Sequence, residues 1–471
     1  MEVSVNRSDI LWSYLSVIVS FSVSVITLPV VMYFLDGDML GLWYVFLSIG
    51  GITLLFDFGF TVTFARNITY CWSGASQLEK RGQSLKVLEE TDFYLMRNIL
   101  YTCKRIYFII SFFALLLMLT IGTLYILHIT PHISGYSHIY AWIIFSIAAF
   151  LNLYFNYYDS FLRGVGAIKN ANQNRVYARS VQIILLITLL LFGYGIVGLS
   201  LAYLSFGIVF QYLGRNFFYG YQNIGKKLSE FKDPIDKKEI WNLFRTIWYN
   251  AWRDGIVSLS GYLSGQASVI LCSLYLSLTE TGAYSIGMQI ANVIAMLSST
   301  LYGTYQPAIQ SNWLKRDMDK VREIMCLIVS VYVISFLLGA ILVLTIGFPL
   351  LKLIRPEVII GVPLMLGIFL GQFVLQFRNC YTSYFSCTNR LDYMSSFIFS
   401  SLLYLVITFI LLDYFKMESW GLVVGQIISQ CLFNIWYWPI KAHRELNLGW
   451  SNTWTVLCGI FQNGKASFIK K

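Results

Sequence analysis

Gly41-Leu-Trp-Tyr-Val-Phe-Leu-Ser-Ile-Gly-Gly-Ile-Thr-Leu-Leu-Phe-Asp-Phe-Gly-Phe-Thr-Val-Thr-Phe-Ala-Arg66 is the stretch that decides the fold. About twenty apolar residues separate its opening from a stop at Ala65-Arg66-Asn67, enough to cross a bilayer. Inside lipid every backbone N–H and C=O must find a partner within the segment, so the stretch is expected to be helical. One ionised side chain, Asp57, sits inside the apolar run. A charge at that depth is costly and marks a candidate functional position. The same frame returns 241 residues on, where Gly282-Ala-Tyr-Ser opens a run ending at Tyr305-Gln306-Pro307. The chain is thus read as built twice.

Outward from this stretch, twelve apolar segments are marked, near 10–35, 40–64, 106–129, 139–162, 175–193, 195–214, 248–276, 281–304, 323–350, 358–385, 393–415 and 419–438. A mean hydropathy of +0.64 with 57% hydrophobic and 12% charged residues belongs to a membrane protein, not a soluble one. No segment alternates as an outer-membrane strand does. The first span starts almost at once and is too long for the apolar core of a signal peptide, so no cleaved leader is expected. Of the 34 Lys and Arg, 29 fall on one side of this topology. By the positive-inside rule both termini are therefore expected in the cytoplasm. The net charge of +10 is read as a topology signal, and no nucleic-acid partner is expected.

The repeat extends along the chain. Leu119-Thr-Ile-Gly122 matches Leu344-Thr-Ile-Gly347; Asn156, Tyr158 and Ser160 match Asn379, Tyr381 and Ser383; Gly198-Leu199 matches Gly421-Leu422. The expected fold class is all-α: a polytopic membrane protein of about 12 transmembrane helices in two six-helix lobes. The lobes form a parallel repeat, because each contains an even number of spans. The expected boundaries are an N-terminal lobe at 1–214, a basic cytoplasmic linker at 215–246, a C-terminal lobe at 247–438 and a cytoplasmic tail at 439–471. Residues 65–105 are read as a long cytoplasmic loop.

Polar residues recur at helical spacing inside several spans. Asn152, Asn156, Asp159 and Arg163 share one face of the fourth span; Gln372, Gln376 and Asn379 share one of the tenth, with Arg378 beside them. Gln289 and Asn292 lie on the eighth span, and the seventh begins with Arg253-Asp254. Amides and hydroxyls in such stripes serve helix–helix hydrogen bonding or line a water-filled cavity. The charges gather toward the inner ends of their spans, which suits a cavity loaded from the cytoplasm with an anionic head group. Arginine suits phosphate because its planar fork engages two oxygens at once. Arg253, Arg378, Arg163 and Arg66 are the candidates for binding a diphosphate. Asp57, Asp159 and Asp254 are candidate coupling or cavity carboxylates, and Asn152, Asn156, Gln289, Asn292, Gln372, Gln376 and Asn379 are candidate polar lining. Pairing of Arg253 or Arg378 with one of these carboxylates is the competing structural reading.

Other chemistries find no support. The eight cysteines contain no C-x-x-C pair, so neither a metal site nor a disulfide is expected. Gly220-Tyr-Gln-Asn-Ile-Gly-Lys-Lys227 nearly matches a P-loop, but Lys227 replaces the Mg²⁺-binding hydroxyl and no strand precedes it. No cofactor is expected, and H⁺ or Na⁺ coupling is left open as the driving force.

Gly41-Leu-Trp, Leu55-Phe-Asp-Phe-Gly59 and Arg66-Asn67, within two six-span lobes, resemble the polysaccharide-transport branch of the multidrug/oligosaccharidyl-lipid/polysaccharide (MOP) exporter superfamily, and most of all the Wzx-type O-antigen flippases. The resemblance implies a MATE-like architecture in a bacterial inner membrane. It implies a non-enzymatic flippase that carries an undecaprenyl-diphosphate-linked oligosaccharide from the cytoplasmic to the periplasmic leaflet by alternating access. O-antigen polymerase and a chain-length regulator would be its partners besides the bilayer. The helix motif carries over to Asp57, Gly59 and Arg66; the other charges are placed by position alone. Ser298 stands at the repeat position of Asp57, so the lobes are not chemically equivalent. Two alternatives remain: a cation-coupled multidrug exporter of the same superfamily, and a membrane polymerase or glycosyltransferase, which the short outside loops disfavour.

Overall fold

The computed structural model describes residues 5–35, 39, 42–43, 45–47, 49–51, 56–80, 88, 90–131, 133, 135–231, 237–265, 268, 271, 275–276, 278–349 and 361–448. These residues are nearly all helical. Two compact units divide at Gly255 and Ile256.

The first unit contains α1 (Arg7–Phe34), α2 (Phe60–Trp72), α3 (Phe93–Leu117), α4 (Thr123–Ile129), α5 (Ser137–Tyr154), α6 (Tyr157–Gly164), α7 (Ile168–Leu191), α8 (Gly195–Gly220), α9 (Ile224–Ser229) and α10 (Lys237–Gly265) as far as Gly255. The second continues from Ile256 through α11 (Leu278–Ser298), α12 (Thr300–Leu314), α13 (Met318–Leu342), α14 (Val362–Cys387), α15 (Met394–Asp413), α16 (Glu418–Cys431) and α17 (Asn434–Glu445). Among the described residues, six helical stretches are long and apolar enough to span a membrane: Phe93–Ile129, Ser137–Gly164, Ile168–Leu191, Gly195–Ser229, Met318–Gly347 and Met394–Asp413. Helices also lie in the described parts of the other expected spans.

Two expected loops are largely helix. The stop read at Ala65-Arg66-Asn67 does not end the helix: α2 runs on to Trp72, and α3 already begins at Phe93, capped by the Asp92 carboxylate on the Leu95 N–H at 2.9 Å. The connection expected at 65–105 therefore shrinks to the residues between Trp72 and Phe93. A fall in hydropathy marks where a helix leaves apolar surroundings, not where its hydrogen bonds stop. Likewise the segment 215–246 contains the end of α8, all of α9 and the start of α10. Residues 232–236 of that segment, and 449–471 of the expected tail, lie outside the described residues.

The internal repeat is visible in backbone detail. Both Leu-Thr-Ile-Gly sequences close π-helical turns, Met118–Gly122 and Val343–Gly347. In each the threonine hydroxyl donates to the carbonyl four residues back, Thr120 to Leu116 at 2.7 Å and Thr345 to Ile341 at 2.8 Å. Single π-turns inside α-helices are rare, so their recurrence at matching sequence is a strong mark of duplication. After α6 and α14 the chain turns the same way. Gly166 (φ +78°) and Asn389 (φ +57°) take the left-handed conformation, and the next N–H returns to Leu162 and Phe385 respectively, at 2.9 Å in both. The eighth span breaks at Ser299, between α11 and α12, where the second span breaks at residues 56–59. The units differ elsewhere: Phe155-Asn156 interrupts α5 and α6, whereas α14 is unbroken through the matching position.

Between helices in lipid, burying apolar surface drives little, and close packing of small residues with interhelical hydrogen bonds does more. A Cβ on Gly207 would lie 2.5 Å from Asn152 Oδ1, and one on Gly371 2.5 Å from Gln426 Oε1. In the first unit, large aromatics fill the space between helices in two clusters. One holds Trp43, Phe46, Trp142 and Phe145; the other holds Phe64, Trp72, Tyr107, Phe161 and Phe218.

Candidate functional site

The Phe56–Gly59 turn places the first cluster. Phe58 and Gly59 both have positive φ, +43° and +77°. A Cβ on Gly59 would lie 2.6 Å from Asp254 Cβ and from Gly255 N, and 2.8 Å from Ala251 O. Only glycine satisfies both demands, so the Asp-Phe-Gly sequence lets α2 turn directly against the backbone of α10. The turn aims Asp57 at α2 and α3. Thr61 Oγ1 donates to Asp57 Oδ1 at 2.7 Å, Tyr107 OH donates to the same oxygen at 2.6 Å, and the two hydroxyl oxygens stand 2.7 Å from one another. Asn156 Nδ2 donates to Thr61 Oγ1 at 3.0 Å, and Ser160 Oγ to the Thr61 carbonyl at 3.0 Å. The three mutually touching oxygens have two hydroxyl protons between them when Asp57 is ionised. Each hydroxyl can donate only once. Both donate to Asp57, and the Thr61–Tyr107 contact is left without a proton. One added proton completes the ring. Among the described residues no cation pairs with Asp57.

One turn further on, Arg66 and Asp254 form an ion pair at 3.2 Å, and Thr63 Oγ1 donates to the same carboxylate oxygen at 2.7 Å. The Arg66 side chain is 0% exposed and that of Asp254 8%. Asp159 is held by two arginines, Arg163 Nε at 2.8 Å and Arg175 at 3.1 Å. Arg163 also reaches Asn172, whose amide donates to Ser13 Oγ at 2.8 Å and ties α1 to α7. Arg253 does not join any of these carboxylates. Its guanidinium lies 3.6 Å from the Tyr249 ring centroid and donates to the Tyr249 carbonyl at 2.7 Å.

The second unit holds a cavity of about 440 Å³, walled by Ser299, Tyr302, Gln376, Arg378, Asn379 and Thr382 among others. Arg378 is 2% exposed. It donates to Gln430 and stacks 3.9 Å from the Phe397 ring centroid, and its Nε has no hydrogen-bond partner among the described residues. Among the described residues it forms no ion pair. Gln430 is held by Asn434, which also binds Ser400 at 2.7 Å and receives the Trp438 indole N–H at 3.1 Å. Asn379 donates to Gln376 at 2.6 Å on the cavity wall.

The expected residues thus separate into groups. Asp57 and Asn156 share one network; Arg66 pairs with Asp254; Arg163 pairs with Asp159. Arg378, Gln376 and Asn379 share the cavity of the second unit. Asn152 faces Gly207, and Gln372 reaches Met288 Sδ at 3.7 Å, so both serve helix packing. Gln289 is exposed and Asn292 half-buried. Tyr107, Tyr302, Arg175 and Gln430 were not singled out from the sequence. Tyrosine is common throughout this chain, and nothing in the local pattern around Gln430 points to Arg378, 52 residues away.

No protein-family model and no curated protein matches this sequence. Solved structures do. An outward-facing multidrug resistance MATE family transporter of the MOP superfamily matches with a TM-score of 0.70 at 13% identity, over 94% of this chain and 97% of that one. A MATE structure in a bent conformation gives 0.71 at 12%, over 94% and 95%. A MOP superfamily transporter from Pyrococcus furiosus, described as having a binding pocket of reversed polarity, gives 0.63 at 11%, over 94% and 97%. By its fold the chain is a polytopic, all-helical membrane protein built like the MATE transporters of the MOP superfamily.

Proposed function

We propose that this chain is a membrane transporter that flips an undecaprenyl-diphosphate-linked oligosaccharide, an O-antigen or related polysaccharide repeat unit, from the cytoplasmic to the periplasmic leaflet of a bacterial inner membrane. The observation that carries the reading is Arg378. It is a buried guanidinium without a carboxylate among the described residues, at the wall of a cavity whose other polar lining is amides and hydroxyls, beside apolar residues such as Val257 and Phe397. A buried charge needs compensation, and a diphosphate supplies it in a geometry that suits a guanidinium. Gln376, Asn379, Thr382 and Tyr302 offer donors and acceptors to sugar hydroxyls. In the first unit, Arg253 also makes no ion pair among the described residues and is a candidate for a phosphate in its own right. Arg66 and Arg163 have carboxylate partners and take a supporting part.

The driving ion in this reading is a proton at Asp57. The three oxygens of Asp57, Thr61 and Tyr107 stand at hydrogen-bond spacing and have a place for one more proton. The same feature favours the second reading, a proton-coupled exporter of organic cations, in which Asp57 without a cationic partner is the coupling group.

Reconstitution distinguishes the two. Purified protein in proteoliposomes, given a fluorescent undecaprenyl-diphosphate oligosaccharide, should transfer label between leaflets faster under a proton gradient than without one, and no faster under sodium. Absence of transfer together with gradient-driven uptake of an organic cation would replace the flippase reading by the exporter reading.

A further inference from the structure

The first unit carries a concentration of positive charge of which the transport reading uses only Arg163, and that in a supporting part. Arg163 on α6 faces Arg175 on α7 across Asp159, and Arg179 follows Arg175 by four residues, on the same face of α7. Three guanidiniums here have one carboxylate among the described residues. Asp159 is 5% exposed at its side chain and is spent on Arg163 and Arg175. Arg179 makes no ion pair among the described residues: it donates to Gln182 at 2.7 Å and lies 4.1 Å from the Phe206 ring centroid. The α7 sequence from Ile168 to Leu191 contains no acidic residue. The side chains of Arg163 and Arg175 are 22% and 36% exposed, so a ligand can reach them.

We propose that Arg163, Arg175 and Arg179 form a binding site for a phosphate or diphosphate ester, separate from the cavity at Arg378. Asp159 holds the Arg163 and Arg175 forks apart with one edge each, leaving other N–H groups for oxygens of the ligand. Arg179, stacked on Phe206, supplies the charge that no carboxylate answers. A phosphoryl group offers at least three acceptor oxygens to such an arrangement, one more than a carboxylate and more than a single chloride ion can present. The ester has two sources: a phospholipid head group at the membrane surface, or a diphosphate carried by an isoprenoid lipid. The site requires neither flipping nor the cavity of the second unit.

The test uses the full-length protein in detergent with inorganic pyrophosphate as the first probe, followed by calorimetry, and in nanodiscs with phosphatidylglycerol as the second, followed by native mass spectrometry. The variants are Arg175→Gln with Arg179→Gln, the matching double lysine, and Arg179→Gln alone, which breaks no ion pair and serves if the double variant does not fold. The expected result is pyrophosphate affinity reduced about tenfold or more by glutamine and partly retained by lysine, with the unfolding midpoint unchanged in Arg179→Gln, which breaks no ion pair. If pyrophosphate does not bind but retained phosphatidylglycerol is lost in the variants, the site stands as a head-group site. Unaltered binding of both probes by folded variants overturns it. Because the readout is binding, loss of flipping in the proteoliposome assay leaves this result unaffected.

Discussion

Replacing Arg66 by leucine strips the Asp254 carboxylate of a guanidinium 3.2 Å away, in a place where the two side chains are 0% and 8% exposed. Thr63 still donates its hydroxyl at 2.7 Å, but a hydroxyl does not neutralise a charge. Removing one member of a buried pair costs about 3–5 kcal/mol, because the other is left buried and uncompensated. At 1.4 kcal/mol per decade, that is a factor of between about a hundred and a few thousand in the folded-to-unfolded ratio. Asp254→Leu should cost a similar amount. The double variant, with the charges gone and apolar volume in their place, should recover most of the loss and come within about 1–2 kcal/mol of the parent. The assay is a double-mutant cycle on protein in mixed micelles, unfolded by titration with a denaturing detergent. The cycle isolates the pair from any separate contact that either residue makes. If the single losses simply add in the double variant, Arg66 and Asp254 do not hold each other, and an assignment of Arg66 to a ligand regains its standing.

Three further outcomes follow from the geometry. Gly59→Ala combines a φ of +77° with a Cβ 2.6 Å from α10 backbone, so it should lose more than about 2 kcal/mol and accumulate poorly. Gly51→Ala, whose Cβ would meet no atom of the described residues within 4 Å, should be near neutral in the same expression and unfolding assays. Asp57→Asn cannot take up and release a proton, so gradient-driven transport should be abolished while insertion and unfolding midpoint hold; transport that still responds to the proton gradient would remove Asp57 from coupling. Arg378→Ala should end transport, and Arg378→Lys should restore it only in part, because an ammonium lacks the planar fork; normal flipping by the alanine variant removes the cavity from the mechanism.

Much of the architecture was legible because lipid leaves a helix few ways to satisfy its backbone. Apolar runs of spanning length and the duplicated Leu-Thr-Ile-Gly and Asn-x-Tyr-x-Ser patterns act locally and survive in a string of letters. They carry the all-helical membrane fold and the repeat. The ends of the helices at Arg66 and Phe93 were not legible. Arg66 looks like a stop signal until Asp254, 188 residues on, is seen to neutralise it. Asp57 was recognisable as a costly charge, but not its environment: Tyr107 reaches it from α3, and Asn156, in the break between α5 and α6, donates to its partner Thr61.

The sequence by itself determined that the apolar segments are helical, that they come in two related sets, and which charged residues need an explanation. Only the tertiary structure decided which charges already have one. Asp159 and Asp254 are occupied by arginines, Asp57 by hydroxyls, and Arg378 looks into a cavity without a carboxylate among the described residues. The physical reason is the range of the forces involved. Helix formation and membrane insertion are read off residues a few positions apart, whereas compensation of a buried charge needs a partner within a few ångströms, and that partner can lie anywhere along the chain.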